Sequence, residues 1–230
     1  MERKLDKVIL FGGSFDPSHR GHMEMIEKAL KSSKADALFL IPALKAASAS
    51  GKKSPSASFE DRLRILELSL EESGTLNTAK EQNISLEILE IEKTLPVPNY
   101  TFNTVKELKK KYPESAFTFL MGQDQVKEFH LWHKAKELLQ MMDILCIKRQ
   151  NEKESAEKDI ENVLEKLGIS YERKEGEFFL KELGSKITYL NEDISAAKST
   201  IIRDQENDHG WLFDAARTYI KENGLYGEKQ

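Results

Sequence analysis

The apolar positions of this chain come in short runs separated by longer amphipathic stretches. Val8 to Phe11 is continuously apolar and stops at Gly12-Gly13, the pattern of a buried strand. From His22 to Leu30 the apolar residues Met25, Ile26, Ala29 and Leu30 recur at helical spacing. Ala37 to Ile41 is a second apolar run, closed by Pro42. Strand, loop, helix and strand in that order form the βαβ unit of a parallel sheet. Further along, the spacing predicts a helix over Phe59 to Leu70, with Phe59, Leu63, Leu66 and Leu70 on one side. Alternation over Ile84 to Ile91 predicts a half-exposed strand. Thr101 to Lys111 reads as a helix that stops before Pro113, and Ala116 to Met121 as a strand ending at Gly122. Gln123 to Met142 is helical with a break near Trp132, and Asp143 to Lys148 is another buried strand. Glu152 to Leu167 is a charged helix, Lys186 to Leu190 a last strand, and Ser199 to Asp204 and Trp211 to Glu222 close the chain as helices. Residues 43–57, rich in Ser, Ala, Lys and Gly, read as a mobile loop. The expectation is an α/β fold, a Rossmann-like doubly wound parallel sheet with helices on both faces. One domain would span 1–230, with a peripheral insertion at about 150–186, where Lys and Glu dominate.

Composition narrows the setting. At 230 residues, 39% hydrophobic and 32% charged, the chain can bury a core without staples. Its one cysteine, Cys146, lies inside the apolar run Ile144 to Ile147, so a buried strand thiol and a reducing cytoplasm are expected. The residues before Val8 carry no apolar leader segment, and no run approaches the roughly 20 residues that span a bilayer. Neither membrane nor nucleic acid is an expected partner, because a net charge of −4 provides no broad basic surface. A small anionic ligand needs only local positive groups.

The segment Gly12-Gly13-Ser14-Phe15-Asp16-Pro17-Ser18-His19-Arg20-Gly21-His22 supplies them. It follows a buried strand and opens a helix, at the carboxyl edge where open α/β sheets bind ligands. Paired glycines let backbone amides approach phosphates. His19 and His22, three apart, can point together over a helix N-terminus that already favours an anion. Their hydrogen bonds would strengthen as charge builds on a reacting phosphate. A bare His-x-x-His pair could also be half of a zinc site, but His130, His133 and His209 are scattered.

This segment resembles the N-terminal motif of the His-x-Gly-His nucleotidyltransferase superfamily. Ser199-Thr200-Ile201-Ile202-Arg203 is similar to that family's Ile-Ser-Ser-Thr-x-Ile-Arg motif, with Lys198 where a serine is usual. Gly122-Gln123-Asp124 and Trp132, with Pro98-Asn99-Tyr100-Thr101, resemble the nicotinate mononucleotide adenylyltransferases in particular, Asn99 standing in place of a serine. Lys148-Arg149 is similar to the family's basic pair near the adenine pocket.

The resemblance implies adenylyl transfer from ATP to nicotinate mononucleotide, with Mg2+ carried on the ATP phosphates and no protein metal site. It implies His19, His22 and Arg203 as catalytic residues. Gly12, Gly13, Ser14, Phe15, Gly21, Lys198, Ser199, Thr200 and Arg149 would contact ATP. Thr101, Gly122, Asp124, Trp132 and the backbone amide of His133 would meet the mononucleotide, Trp132 by stacking on the pyridine ring. The family's Pro-His-Lys triplet after the second strand is missing, leaving Lys45, Lys52 or Lys53 to reach the substrate phosphate. The amidated mononucleotide, phosphopantetheine and a non-catalytic nucleotide sensor remain as alternatives. A homo-oligomer is compatible with the sequence.

Overall fold

The computed structural model describes residues 4–45, 55–149, 155–204 and 210–227. Lys52, Lys53 and His209 therefore lie outside the described residues, as does most of the 43–57 loop. Six strands form a parallel sheet: β1 (Lys7–Gly13), β2 (Ala37–Pro42), β3 (Ser85–Ile88), β4 (Ala116–Gly122), β5 (Met142–Arg149) and β8 (Ser185–Ile194). Two short strands, β6 (Glu172–Lys174) and β7 (Glu177–Leu180), add to β8 antiparallel. The spatial order is β3-β2-β1-β4-β5-β8-β7-β6. The chain winds outward from β1 to β3, then returns to β4 and winds the other way. The switch point thus falls between β1 and β4, and there ligands bind in such sheets.

Alternation along β1 divides the core. Val8 and Leu10 face one layer, and Ile9 and Phe11 the other. The first layer holds α4 (Thr101–Lys111), α5 (Gln123–Glu128), α6 (Ala135–Leu139) and α7 (Ala156–Leu167). The second holds α1 (Arg20–Ser32), α2 (Phe59–Ser73), α3 (Thr75–Glu81) and α9 (Asp214–Glu222). This is the doubly wound α/β sandwich that the alternating pattern predicts. A further short helix, α8 (Ser199–Asp204), follows β8.

Several local expectations shift. The segment expected as a strand over Ile84 to Ile91 pairs only at Ser85–Ile88, and Ile91–Thr94 turns into a 3-10 helix. No element was expected over Thr75–Glu81, which forms α3 after Gly74 in the left-handed region closes α2. On α2 the buried face includes Arg62, Ile65 and Leu66, whereas Leu63 is only half-buried. An arginine occupies the core position that periodicity had assigned to a leucine. The Gln123–Met142 stretch breaks at Trp132, between a 3-10 turn and α6. Within residues 150–186, α7 buries Ala156, Ile160, Val163 and Leu164 against the sheet, while β6 is exposed.

Leu10 sits on the central strand and is fully buried. Leu10→Ala should cost about 2–5 kcal/mol of unfolding free energy. Denaturant titration at constant m-value checks this; a loss well below 1 kcal/mol would mean that β1 is not the centre of the core.

Candidate active site

Gly12 and Gly13 end β1, and Met121 and Gly122 end β4, on adjacent strands at the switch point. A Cβ on Gly12 would lie 3.1 Å from the Phe119 ring, so any larger residue there would press on that ring. That ring packs edge-on to Trp132, with centroids 5.7 Å apart. Phe129 supports the same indole at 5.3 Å. Trp132 stays half-buried at the carboxyl edge of the sheet.

His19 is the N-cap of α1, and its backbone amide donates to Nδ1 of His22 at 3.2 Å. With Nδ1 accepting in that bond, a neutral His22 carries its proton on Nε2. The two imidazoles stack at 3.8 Å, and Phe15 packs against His22 at 5.1 Å. Phe15 itself is buried in the left-handed region (φ 47°), so its ring supports His22 from within the core. His19 is also buried, whereas His22 is half-buried. Gly21 is needed where α1 meets the segment after β8: a Cβ there would lie 3.1 Å from Ser195 Oγ and 3.2 Å from the His19 ring.

Asp16 is the hub of the loop. Its carboxylate accepts from the Ser56 amide at 2.8 Å, the Ala57 amide at 3.1 Å and the Tyr226 hydroxyl at 2.9 Å. Burial and the adjacent carboxylate push the Tyr226 phenol upward, so it remains a donor. Arg203 donates to the Asp16 carbonyl and lies 3.4 Å from its carboxylate. Ser199 Oγ donates to the Pro17 carbonyl at 2.9 Å. The Ser199–Arg203 segment is therefore fastened to the same loop that carries His19 and His22. Glu24 on α1 adds a second fastening by accepting from the Ser195 amide at 2.6 Å. Lys198 and Thr200 are exposed at the start of α8. Arg149 ends β5 beside Ile194, and its side chain lies outside the described set.

Thr101 opens α4 and is half-buried. The residue before it, Tyr100, stacks on His133 at 4.3 Å, and Phe102 meets the same ring edge-on. These contacts join the Thr101 segment to the Trp132 segment. The turn at Trp132 uses the bonds Trp132 N to Phe129 O and Ala135 N to Trp132 O, neither of which engages the His133 amide. Asp124 lies in the first turn of α5, close enough to Cys146 for its charge to add to the burial that raises that thiol's pKa. Lys45 is exposed at the end of the chain leaving β2.

Sequence reasoning passed over two buried ionisable groups beneath these loops. Arg62 donates to the Ser14 carbonyl at 2.5 Å, and burial lowers its pKa against the pull of Asp16. Glu92 accepts from the Leu44 amide at 3.0 Å and from Thr104 Oγ at 3.2 Å. Burial pushes the Glu92 carboxyl up to about 7, opposed by those two bonds and by Arg62. The available signal was a charged residue at an apolar position of a helical repeat, for Arg62. Among the described residues, no group of three or more His, Cys, Asp or Glu is placed to hold a metal ion. Nor is any helix among them long and apolar enough to cross a membrane.

The cytidylyltransferase-like family model matches residues 10–205. Nicotinate-nucleotide adenylyltransferase of Bacillus subtilis is 30% identical over 96% of this chain and 99% of its own length. The chain belongs to the cytidylyltransferase-like family, in its nicotinate-nucleotide adenylyltransferase branch. A probable nicotinate-nucleotide adenylyltransferase of Bacillus pumilus is 33% identical over 63% of this chain and 70% of its own. Nicotinic acid mononucleotide adenylyltransferase of Plasmodium falciparum, solved with NaAD, shares the fold with a TM-score of 0.69 at 18% identity, over 97% of this chain and 98% of that one. The family match spans the His19–His22 loop, the Trp132 turn and Arg203 alike.

The Glu92 carboxyl of this adenylyltransferase carries a pH signature. Its folded pKa lies above the usual 4.5, so it stabilises the fold below pH 4.5 and that contribution is lost as pH rises through about 7. The shift corresponds to about 3 kcal/mol. In melting curves from pH 4.5 to 8, Glu92→Gln should gain on wild type up to about pH 7 and then run level. Parallel curves across the range would show that Glu92 titrates normally.

Proposed function

We propose that this chain transfers the adenylyl group of ATP to nicotinate mononucleotide, releasing pyrophosphate and forming deamido-NAD. The observation that carries this reading is the set of side chains gathered around one loop. His19 and His22 stack at the start of α1, and Arg203 on α8 is held to Asp16, three residues before His19. The full-length similarity to a nicotinate-nucleotide adenylyltransferase supports the substrate pair.

In this reading a 5′-phosphate oxygen of the mononucleotide attacks the α-phosphorus of ATP in line. The P–O bond to the β-phosphate breaks, and pyrophosphate leaves with that electron pair. The attacking oxygen is already ionised near neutral pH, so no general base is needed. Catalysis is positioning and charge stabilisation. His22 and His19 donate to the reacting phosphate, and Arg203 neutralises the leaving pyrophosphate. The Asp16 carboxylate restrains the guanidinium until triphosphate competes for it. Backbone amides at Gly12 to Phe15 and Gly21, with Lys198, Ser199, Thr200 and Arg149, contact ATP. Mg2+ would accompany ATP as part of the substrate and supply charge neutralisation on the triphosphate.

On the acceptor side, Trp132 stacks on the pyridine ring from its support on Phe119 and Phe129. Thr101 and the His133 amide bind the ring carboxylate, Asp124 and the Gly122 turn meet the ribose, and Lys45 approaches the phosphate. A cytoplasmic setting fits a single thiol that is buried and held protonated.

His22→Ala should cut kcat by ~10²–10³ with little change in the KM for ATP, because the lost donor acts on developing charge. Pyrophosphate release from ATP with nicotinate mononucleotide reads this directly, and near-normal turnover removes His22 from the chemistry. Trp132→Ala should raise the KM for the mononucleotide several times more than that for ATP. An equal rise in both defeats the stacking assignment.

A further inference from the structure

Glu92 and Asn99 are each almost fully buried, at 6% and 5% exposure, and their side-chain polar atoms are engaged by protein partners. Both are nonetheless spent on the two segments that the adenylyl-transfer reading assigns to the mononucleotide. Asn99 clasps Lys45 at two points: its amide donates to the Lys45 carbonyl at 3.1 Å, and its Oδ1 accepts from the Lys45 amide at 3.0 Å. Its Nδ2 donates to the Glu92 carbonyl at 3.1 Å. The Glu92 carboxyl then reaches Leu44 on one side and Thr104 on the other. Thr104 lies one turn along α4 from Thr101, and its hydroxyl is also 3.4 Å from the Tyr100 carbonyl. Tyr100 in turn stacks on His133.

We propose that Glu92 and Asn99 are positioning residues for the mononucleotide, holding the chain that leaves β2 against the first turn of α4 and so setting the separation of Lys45 from Thr101. The inference rests on the adenylyl-transfer reading for the roles of Lys45 and Thr101. The clasp itself does not.

The hydrogen-bond inventory allows the clasp to survive a change of charge. An ionised Glu92 accepts from both Leu44 and Thr104. A neutral one can donate to Thr104 Oγ, whose own hydrogen then turns to the Tyr100 carbonyl. The charged group facing it across the core is Arg62 on α2. Its other contacts, Leu44, Thr104 and Asn99, are uncharged, and Lys93 on the same turn pairs with Glu90 and Glu60 at the surface. Glutamine reproduces the neutral state, with one acceptor for Leu44 and one donor for Thr104. Alanine leaves the Leu44 amide and the Thr104 hydroxyl without that partner.

The test uses the full chain, ATP and nicotinate mononucleotide. Glu92→Ala and Asn99→Ala should raise the KM for the mononucleotide about tenfold, the size expected for one or two lost buried hydrogen bonds. The KM for ATP should stay within about twofold, and Glu92→Gln should restore the mononucleotide value. Amide hydrogen exchange at Leu44 and Lys45 should quicken in both alanine variants and remain slow in Glu92→Gln. Equal rises in both Michaelis constants, or a lowered Tm with unchanged KM, would reduce the pair to core packing and overturn the proposal. Unchanged exchange at Leu44 and Lys45 would overturn it as well. Should the alanine variants fail to fold, Glu92→Asp shortens the reach by one methylene and takes their place. Absence of turnover by wild type with this substrate pair defeats the functional reading, while the exchange experiment still judges the clasp.

Discussion

The site depends on a buried carboxylate. Asp16 lies in the loop between the first strand and the helix that carries His22, and it is almost wholly removed from water. An anion in that position is tolerable only because donors surround it. Two backbone amides, a phenol and a guanidinium converge on it from three separate parts of the chain. Each donor brings its own segment along. Ser56 and Ala57 anchor the approach to α2, Tyr226 anchors the chain after α9, and Arg203 anchors α8. The loop acquires a single conformation because so many segments satisfy one group. That over-determination also holds Phe15 in the left-handed region, where a bulky residue is disfavoured.

A second buried pair extends the same logic toward α4. Arg62 holds the Ser14 carbonyl and is attracted by both Asp16 and Glu92. Glu92 holds Leu44 and Thr104. The line Asp16, Arg62, Glu92 therefore runs from the loop after β1 to the first turn of α4. Ionised groups this deep usually cost stability relative to apolar side chains of the same size. Here they fix the spacing between loops that have no regular secondary structure of their own. In the proposed reaction, which forms no covalent enzyme intermediate, that spacing would set the alignment of the two phosphates.

His22 illustrates how backbone geometry sets chemistry. Its Nδ1 is engaged by the amide of the helix cap three residues earlier, so the helix start selects the tautomer. Cys146, by contrast, is a reactive residue type made inert by its place inside β5.

The sequence alone determined the parts with local physical causes. Apolar runs bounded by glycine and proline located the central strands, helical spacing located α1 and α4, and the alternation of the two implied a parallel sheet. The Gly12 to His22 segment, the Trp132 turn and the Ser199 to Arg203 helix start were legible as family motifs because each is a pattern within a few residues. Tertiary structure decided what depends on contacts across long separations. That Asp16 gathers Tyr226 and Arg203, that Arg62 replaces Leu63 in the core, and that Glu92 ties Leu44 to Thr104 follow from packing. No periodicity announces a buried charge, because its stability comes from partners distant in the chain and not from its neighbours.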